Sequence, residues 1–338
     1  MHRHLQAWGT LCASLVAASG CGGTEHNETQ PTAGSNAAAA GASSGQAGQG
    51  GSAAPAGGHA GNTVGGAAGA GTSGSGTQPA DCSGTFGAPT PGLTEDAKAK
   101  LASPALSPDA LTLFYTRTLD GQISFRVSTR ANLTAVFPAG AAIPELDAAC
   151  QAAEGRSVDL SADGLRAYIA CYSATAEPVG AATLRVAERA SLTAPFSVSG
   201  DKVQVGAGAA ISKDELTLFT SSDVNPGFKP PRLFQRASLA EAFGVGAAIP
   251  GLEEVNLTAP DPAPDGTTLY GGLMGNVVVT TRAGASSAFA APTVLFAPAD
   301  ATQQLGAPEV SQDCRRLFFV QQTSANGLTT SELMEARR

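Results

Sequence analysis

Ser107-Pro-Asp109-Ala-Leu-Thr-Leu113-Phe114 returns four more times along this chain, each time with an acid, an aliphatic and an aromatic in register. The copies are Ser-Ala-Asp163-Gly-Leu-Arg-Ala167-Tyr168, Ser-Lys-Asp214-Glu-Leu-Thr-Leu218-Phe219, Ala-Pro-Asp265-Gly-Thr-Thr-Leu269-Tyr270 and Ser-Gln-Asp313-Cys-Arg-Arg-Leu317-Phe318. An aromatic stands five residues after every Asp, and successive Asp residues lie 54, 51, 51 and 48 positions apart. Self-similarity at such a period decides an architecture before any single residue does.

A second shared element follows each Asp by 17 to 26 residues: Arg130, Arg189, Arg236, Arg282 and, more degenerately, Arg337. Phe137, Phe196, Phe243 and Phe289 follow the first four Arg by seven positions, whereas the fifth lies at the chain end with no such Phe after it. An unclaimed Phe86 instead opens the region. The stretches around each Asp read as short strands, four to a unit, which is the pattern of a propeller blade. The expectation is all-β: a five-bladed β-propeller of four-stranded antiparallel blades over residues 82–338, with a degenerate sixth blade as the alternative. The N-terminal strand near Phe86 would complete the last blade and remove an open sheet edge.

The Ser-x-Asp-x-x-x-aliphatic-aromatic pattern resembles the TolB-type, WD-40-like propeller repeat of bacterial envelope proteins, over about Phe86 to Arg337. That resemblance implies a fold rather than an activity, since one fold hosts many functions. The glycine usual after the Asp is kept at Gly164 and Gly266 but is Ala110, Glu215 and Cys314 elsewhere. A sialidase-type Asp box is similar too, and in that family the box is structural. Five turns need five carboxylates, whereas a catalytic site is needed once. Asp109, Asp163, Asp214, Asp265 and Asp313 therefore read as acceptors for backbone N–H groups across tight turns. The aromatic and its aliphatic neighbour should point to opposite faces of the second strand and be buried there. The repeated Arg reads as pairing with an acidic or backbone partner, with anion binding as the alternative.

Composition separates this region from what precedes it. All four His and the single Trp lie within the first 59 residues, so the repeats contain neither. Ser-His-Asp hydrolysis, Cys-His catalysis, His-ligated metals and Trp sugar platforms are thereby excluded from the folded part. From Cys82 onward 19 Lys+Arg face 25 Asp+Glu, which leaves no electrostatic footprint for nucleic acid. Residues 1–20 read as an export signal: Arg3, an apolar run from Leu5 to Ala18, then Ala18-Ser19-Gly20-Cys21. This resembles a bacterial lipoprotein signal and implies lipidation of Cys21 and a lipid-anchored place in the bacterial envelope. Cleavage nearby to give a soluble secreted protein is the alternative. Residues 21–81 read as a disordered tether, with 17 Gly and 15 Ala between positions 22 and 80 and little to bury. Its root-mean-square reach would be on the order of 40 Å.

Removing Cys12 and Cys21 leaves Cys82, Cys150, Cys171 and Cys314, an even number in an oxidising compartment. Three connectivities are open; Cys150–Cys171 and Cys82–Cys314 are preferred, the second stapling the N-terminal strand to the last blade. No Cys-x-x-Cys spacing supports the zinc alternative. No cofactor and no metal are expected. Asymmetry between blades is where function should lie. The longest connections run from Ser173 to Gly180 and from Ser221 to Arg232, and Phe228, Lys229 and Arg232 in the second form a candidate partner loop. Two functions follow. One is a non-catalytic scaffold, anchored to a membrane, that binds a protein, a peptide or an envelope polymer. The other is a glycoside hydrolase or lyase using paired carboxylates in the central channel, with Glu145, Asp147, Glu253, Glu254 and Glu309 as candidates. Two carboxylates facing each other there, with raised pKa values, would favour the second.

Overall fold

A computed structural model describes residues 82, 84–151, 153, 155–172, 182–199, 203–206, 208–221 and 230–338. The signal segment, Cys21, the tether, the 173–180 connection, Phe228 and Lys229 lie outside the described residues.

The chain forms five antiparallel blades, and the repeat sits at the same place in each. Blade I is Lys100–Leu106, Thr112–Leu119, Gln122–Thr129 and Ala141–Ala142. Blade II is Gly155–Leu160, Arg166–Tyr172 and Ala182–Glu188, with Ser197–Val198 and Val203–Val205 both pairing to the third strand. Blade III is Ala210–Ile211, Thr217–Thr220, Arg232–Gln235 and Ala247–Ala248. Blade IV is Thr258–Pro262, Thr268–Leu273, Asn276–Thr281 and Thr293–Phe296. Blade V is Gln303–Val310, Arg316–Ala325 and Leu328–Arg337, and its outer strand is Thr90–Pro91 from the other end of the chain. That N-terminal segment covers the C-terminal half of the strand Leu328–Arg337, through the pairs Thr90–Glu335 and Pro91–Met334 and the bonds from Gly87 N to Arg337 O and Gly92 N to Leu333 O. A six-residue helix, Pro144–Ala149, between blades I and II is the sole departure from β structure among the described elements.

Period-2 alternation of the repeat builds the core. In each second strand the aliphatic faces the preceding blade and the aromatic faces the next. Leu113 packs with Phe318 and Leu333 of blade V, whereas Phe114 packs with Val158 and Ile169 of blade II. Tyr168 joins Leu218 of blade III, Phe219 joins Leu269 of blade IV, and Tyr270 joins Leu317 and Phe319 of blade V. Five apolar clusters thus fill five seams, and all five aromatics are at most 2% exposed.

The Asp turns are alike in four blades. Ser107 Oγ donates to Asp109 Oδ1 at 2.6 Å, the same carboxylate oxygen accepts from Leu111 N at 3.0 Å, and Thr112 N donates to Ser107 Oγ at 2.8 Å. The set recurs at Ser161–Asp163, Ser212–Asp214 and Ser311–Asp313. Blade IV has Ala263 in place of Ser, and there Asp265 takes the hydroxyl and N–H of Thr268 together with Thr267 N. The residue after each Asp has a positive φ, from 54° to 69°, which explains the usual glycine. Two of the three departures gain a long-range bond there. Glu215 reaches back to Arg166 and Tyr168 of blade II, and Cys314 is joined to Cys82.

The repeated Arg links that turn to the connection after the third strand. Nε of Arg130, Arg189, Arg236 and Arg282 donates to the carbonyls of Ala110, Gly164, Glu215 and Gly266, and each guanidinium lies 4.4–4.6 Å over the Phe seven residues on. The fifth copy is Arg338, not Arg337. Arg338 N donates to Arg315 O as Arg130 N does to Leu111 O, and Arg338 stacks 4.2 Å over Phe86. Arg337 is the last residue of the strand and donates to Glu335 instead. Two adjacent arginines hid a one-residue difference in register. Phe86 is thereby the missing partner of the last repeat.

Candidate functional site

Four residues before each turn Asp, on the innermost strand, stand Ala105, Asp159, Ala210, Asp261 and Glu309. Their carboxylates meet on the propeller axis, each 6–8% exposed. Two small cavities flank them. One, of about 30 Å³, is lined by Ser103, Ser157, Gly208, Ala259 and Ala307 together with the three acids. The other, of about 20 Å³ on the side of the Asp turns, is lined by Lys213, Pro264 and Gln312 with the same three. The acids form the partition between them, and each cavity has room for one or two waters.

The next residue along, Leu106, Leu160, Ile211, Pro262 or Val310, explains where the acids sit. Glu309 Oε1 accepts from Leu106 N of blade I at 3.0 Å. Asp159 Oδ2 accepts from Ile211 N of blade III at 2.6 Å, and its Oδ1 from its own neighbour Leu160 N at 2.6 Å. Asp261 Oδ2 accepts from Val310 N of blade V at 2.7 Å. The fifth position is Pro262, which has no N–H, and the blade before it carries Ala210 rather than an acid. Three carboxylates therefore serve four donors: of the two blades with Ala at this position, blade III precedes the blade without a donor, and blade I precedes blade II, whose Leu160 N is taken by Asp159 itself. Buried N–H groups need such partners.

Burial pushes the Asp159 carboxyl up to about 6, even against its two N–H bonds. Asp261 and Glu309 are raised well above the usual range, first by burial and then by neighbouring charge, that of Asp159 on Asp261 and those of Asp261 and Asp159 on Glu309. Asp261 and Glu309 line both cavities together, each buried and with no cation paired to it among the described residues, a setting that favours keeping a proton on one of them. Among the described residues, no group of three or more His, Cys, Asp or Glu is arranged to hold a metal ion.

Of the acids singled out from sequence, Glu309 alone lies here. Asp147 Oδ1 is taken by Phe125 N and Arg156 in the helix between blades I and II, and Glu145 is half-buried in the same helix. Glu253 is exposed and accepts from Gly251 N, beside an exposed Glu254. These four are displaced from the axis because they lie between blades, not on an inner strand. Asp159 and Asp261 were missed, although the offset that Glu309 holds from its turn Asp points to both. Arg232 opens an exposed end of the third strand of blade III. Disulfides join Cys82 to Cys314 and Cys150 to Cys171.

No family model matches the chain, and no curated protein matches it. Solved structures do. A GH43_1 enzyme from Xanthomonas citri aligns over 73% of this chain and 90% of its own, at 12% identity and a TM-score of 0.52. An exo-1,5-alpha-L-arabinanase from a bovine ruminal metagenomic library aligns over 72% and 94%, at 14% identity and 0.47. TolB from Acinetobacter baumannii aligns over 71% of this chain and 54% of its own, at 13% identity and 0.38. The chain is a five-bladed propeller. At 12% identity the likeness to the GH43_1 enzyme is one of fold.

Proposed function

We propose that the chain is a non-catalytic binding scaffold, held at the bacterial envelope by a lipid on Cys21 and standing off it on the 21–81 tether. One observation carries the reading: the axial carboxylates are committed to the seams between blades, and the space beside them is about 30 Å³. Small-molecule sites are typically about 300–1,000 Å³. The partner is a protein, a peptide or an envelope polymer, met by the loops of blades II and III, with Phe228, Lys229 and Arg232 as its contacts.

The second reading, a glycoside hydrolase or lyase, is favoured by three facing carboxylates with raised pKa values and by the GH43_1 fold likeness. Against it stand their commitments: each accepts a backbone N–H of a neighbouring blade, and the cavities they line have room for one or two waters and not for a sugar ring. The test has two arms on the full chain. Capture of one partner from envelope extracts should be lost in Phe228→Asp/Lys229→Glu with the unfolding midpoint unchanged. Turnover of an aryl glycoside or polysaccharide that disappears in Glu309→Gln would overturn the scaffold reading.

A further inference from the structure

The axial acids are a puzzle for a purely structural role, because neutral asparagine or glutamine would accept the same N–H bonds without burying charge. Each carboxylate accepts from the blade beside it, across 52, 49 and 203 residues of sequence, so together they tie inner strands that nothing local joins. The groups facing them are few. Blade I offers Ser103 and Pro104, blade II Asp159 itself with Ser157, blade III Gly208, Ala209 and Ala210, blade IV Asp261 and Pro260, and blade V Glu309 and Pro308. On the turn side the charged residue lining the cavity is Lys213, and Gln312 and Pro264 are neutral. Tyr270, behind Asp261, feels that carboxylate and is held neutral by burial. No ion pair to Asp159, Asp261 or Glu309 occurs among the described residues.

We propose that the propeller axis is a proton latch, in which Asp261 and Glu309 share a proton while they and Asp159 clasp neighbouring blades, and loss of that proton loosens the ring. The proton goes to solvent and leaves two facing carboxylates in a cavity with room for a water or two. Their repulsion acts along the bonds to Leu106 N and Val310 N, which are seam bonds of blades V–I and IV–V. The sign follows from the raised pKa values. The folded state holds protons that the unfolded chain has released, so the contribution is complete below about pH 4; Asp159 gives up its share at about 6, and that of Asp261 and Glu309 is lost as pH rises through their raised range. The ring would thus be firmest in an acidified compartment and loosest in an alkaline one.

Glu309→Gln is an isostere of the latched form: its oxygen keeps Leu106 N and its amide donates to Asp261. On the full chain, wild type should lose several degrees of Tm between pH 5.5 and pH 8.5. Glu309→Gln should match it at the lower pH and exceed it by about 3 °C or more at the higher. A flat wild-type profile, or a Gln variant that loses stability equally at both pH values, would overturn the latch. Should the variant fail to fold, infrared difference spectra of the wild type decide the matter. A buried protonated-carboxyl C=O band that persists at pH 7 and bleaches on alkaline titration supports the latch. Its absence at pH 7 rejects it.

Discussion

Two sets of carboxylates sit four residues apart in the same repeat, and their surroundings drive them in opposite directions. Burial alone would raise Asp109, Asp163 and Asp313 at the turns, but a Ser hydroxyl and backbone N–H groups hold all three below the usual range. Burial raises Asp159, Asp261 and Glu309 on the axis, and their N–H bonds do not offset it. The turn acids find their hydrogen-bond partners within three residues, whereas the axial acids reach partners up to 203 residues away. Local bonds shape a blade, and long-range bonds make blades into a ring. The distinction makes a ranking: a bond should stabilise more as the stretch of chain it closes lengthens and as its partner lies deeper.

The Cys82–Cys314 bridge closes 232 residues and should head that ranking. Cys82→Ser/Cys314→Ser leaves the Asp313 turn bonds in place but frees the N-terminal strand and the Phe86 stack. Denaturant unfolding should show a loss on the order of 4 kcal/mol. Cys150→Ser/Cys171→Ser, which opens 21 residues, should cost less. Equal losses would show that the closing length is not what matters.

The acids themselves come next. Glu309→Ala leaves Leu106 N buried without an acceptor and should cost about 2–3 kcal/mol, against about 1 kcal/mol for Asp163→Ala, whose donors are near water. The pH dependence should separate them further. Asp163 has a depressed folded pKa, so its contribution is present above the unfolded value near about 4 and is lost as pH falls. Asp163→Asn should flatten the acid limb of the stability curve and leave the alkaline limb alone. An alkaline effect of that variant would merge the two sets.

The ring could be read from the chain because its turn chemistry is written five times. Ser-x-Asp with an aromatic five residues on announces a strand, a turn and a strand wherever it occurs, and the orphan Phe86 pointed to closure. The axis was harder to see. An acid four residues before the turn Asp occurs in three blades, in two chemical forms, and alternates with alanine, so it does not look like a repeat. Its logic emerges only when the neighbouring blade is in place and Pro262 is seen to lack the donor that Leu106, Ile211 and Val310 supply. Arg338 shows the same limit. In Glu-Ala-Arg-Arg either arginine fits a degenerate pattern, and strand pairing of Arg316 with Arg337 settles which one lies beyond the strand.

The repeated Arg offers the finest test, because one chemical unit occurs with and without a seam partner. Arg130 and Arg282 both bond the carbonyl after a turn Asp and stack on the Phe seven residues on, at 4.4 and 4.6 Å. Arg130 also reaches Glu335 of blade V at 3.2 Å, with both side chains at most 1% exposed. Arg282 has no such ion pair among the described residues and gives both donated bonds to Gly266 O. Lysine keeps the charge but loses the fork and most of the stack. Arg282→Lys should therefore cost about 1 kcal/mol, and Arg130→Lys about 1 kcal/mol more, since the buried bonds to Glu335 are lost as well, although Arg316 and Arg337 still pair with that carboxylate. Pairing each with Glu335→Gln in a double-mutant cycle should return a coupling for Arg130 and none for Arg282. Equal losses without coupling would mean that the stack carries all of the arginine's contribution, and that reaching the next blade adds nothing.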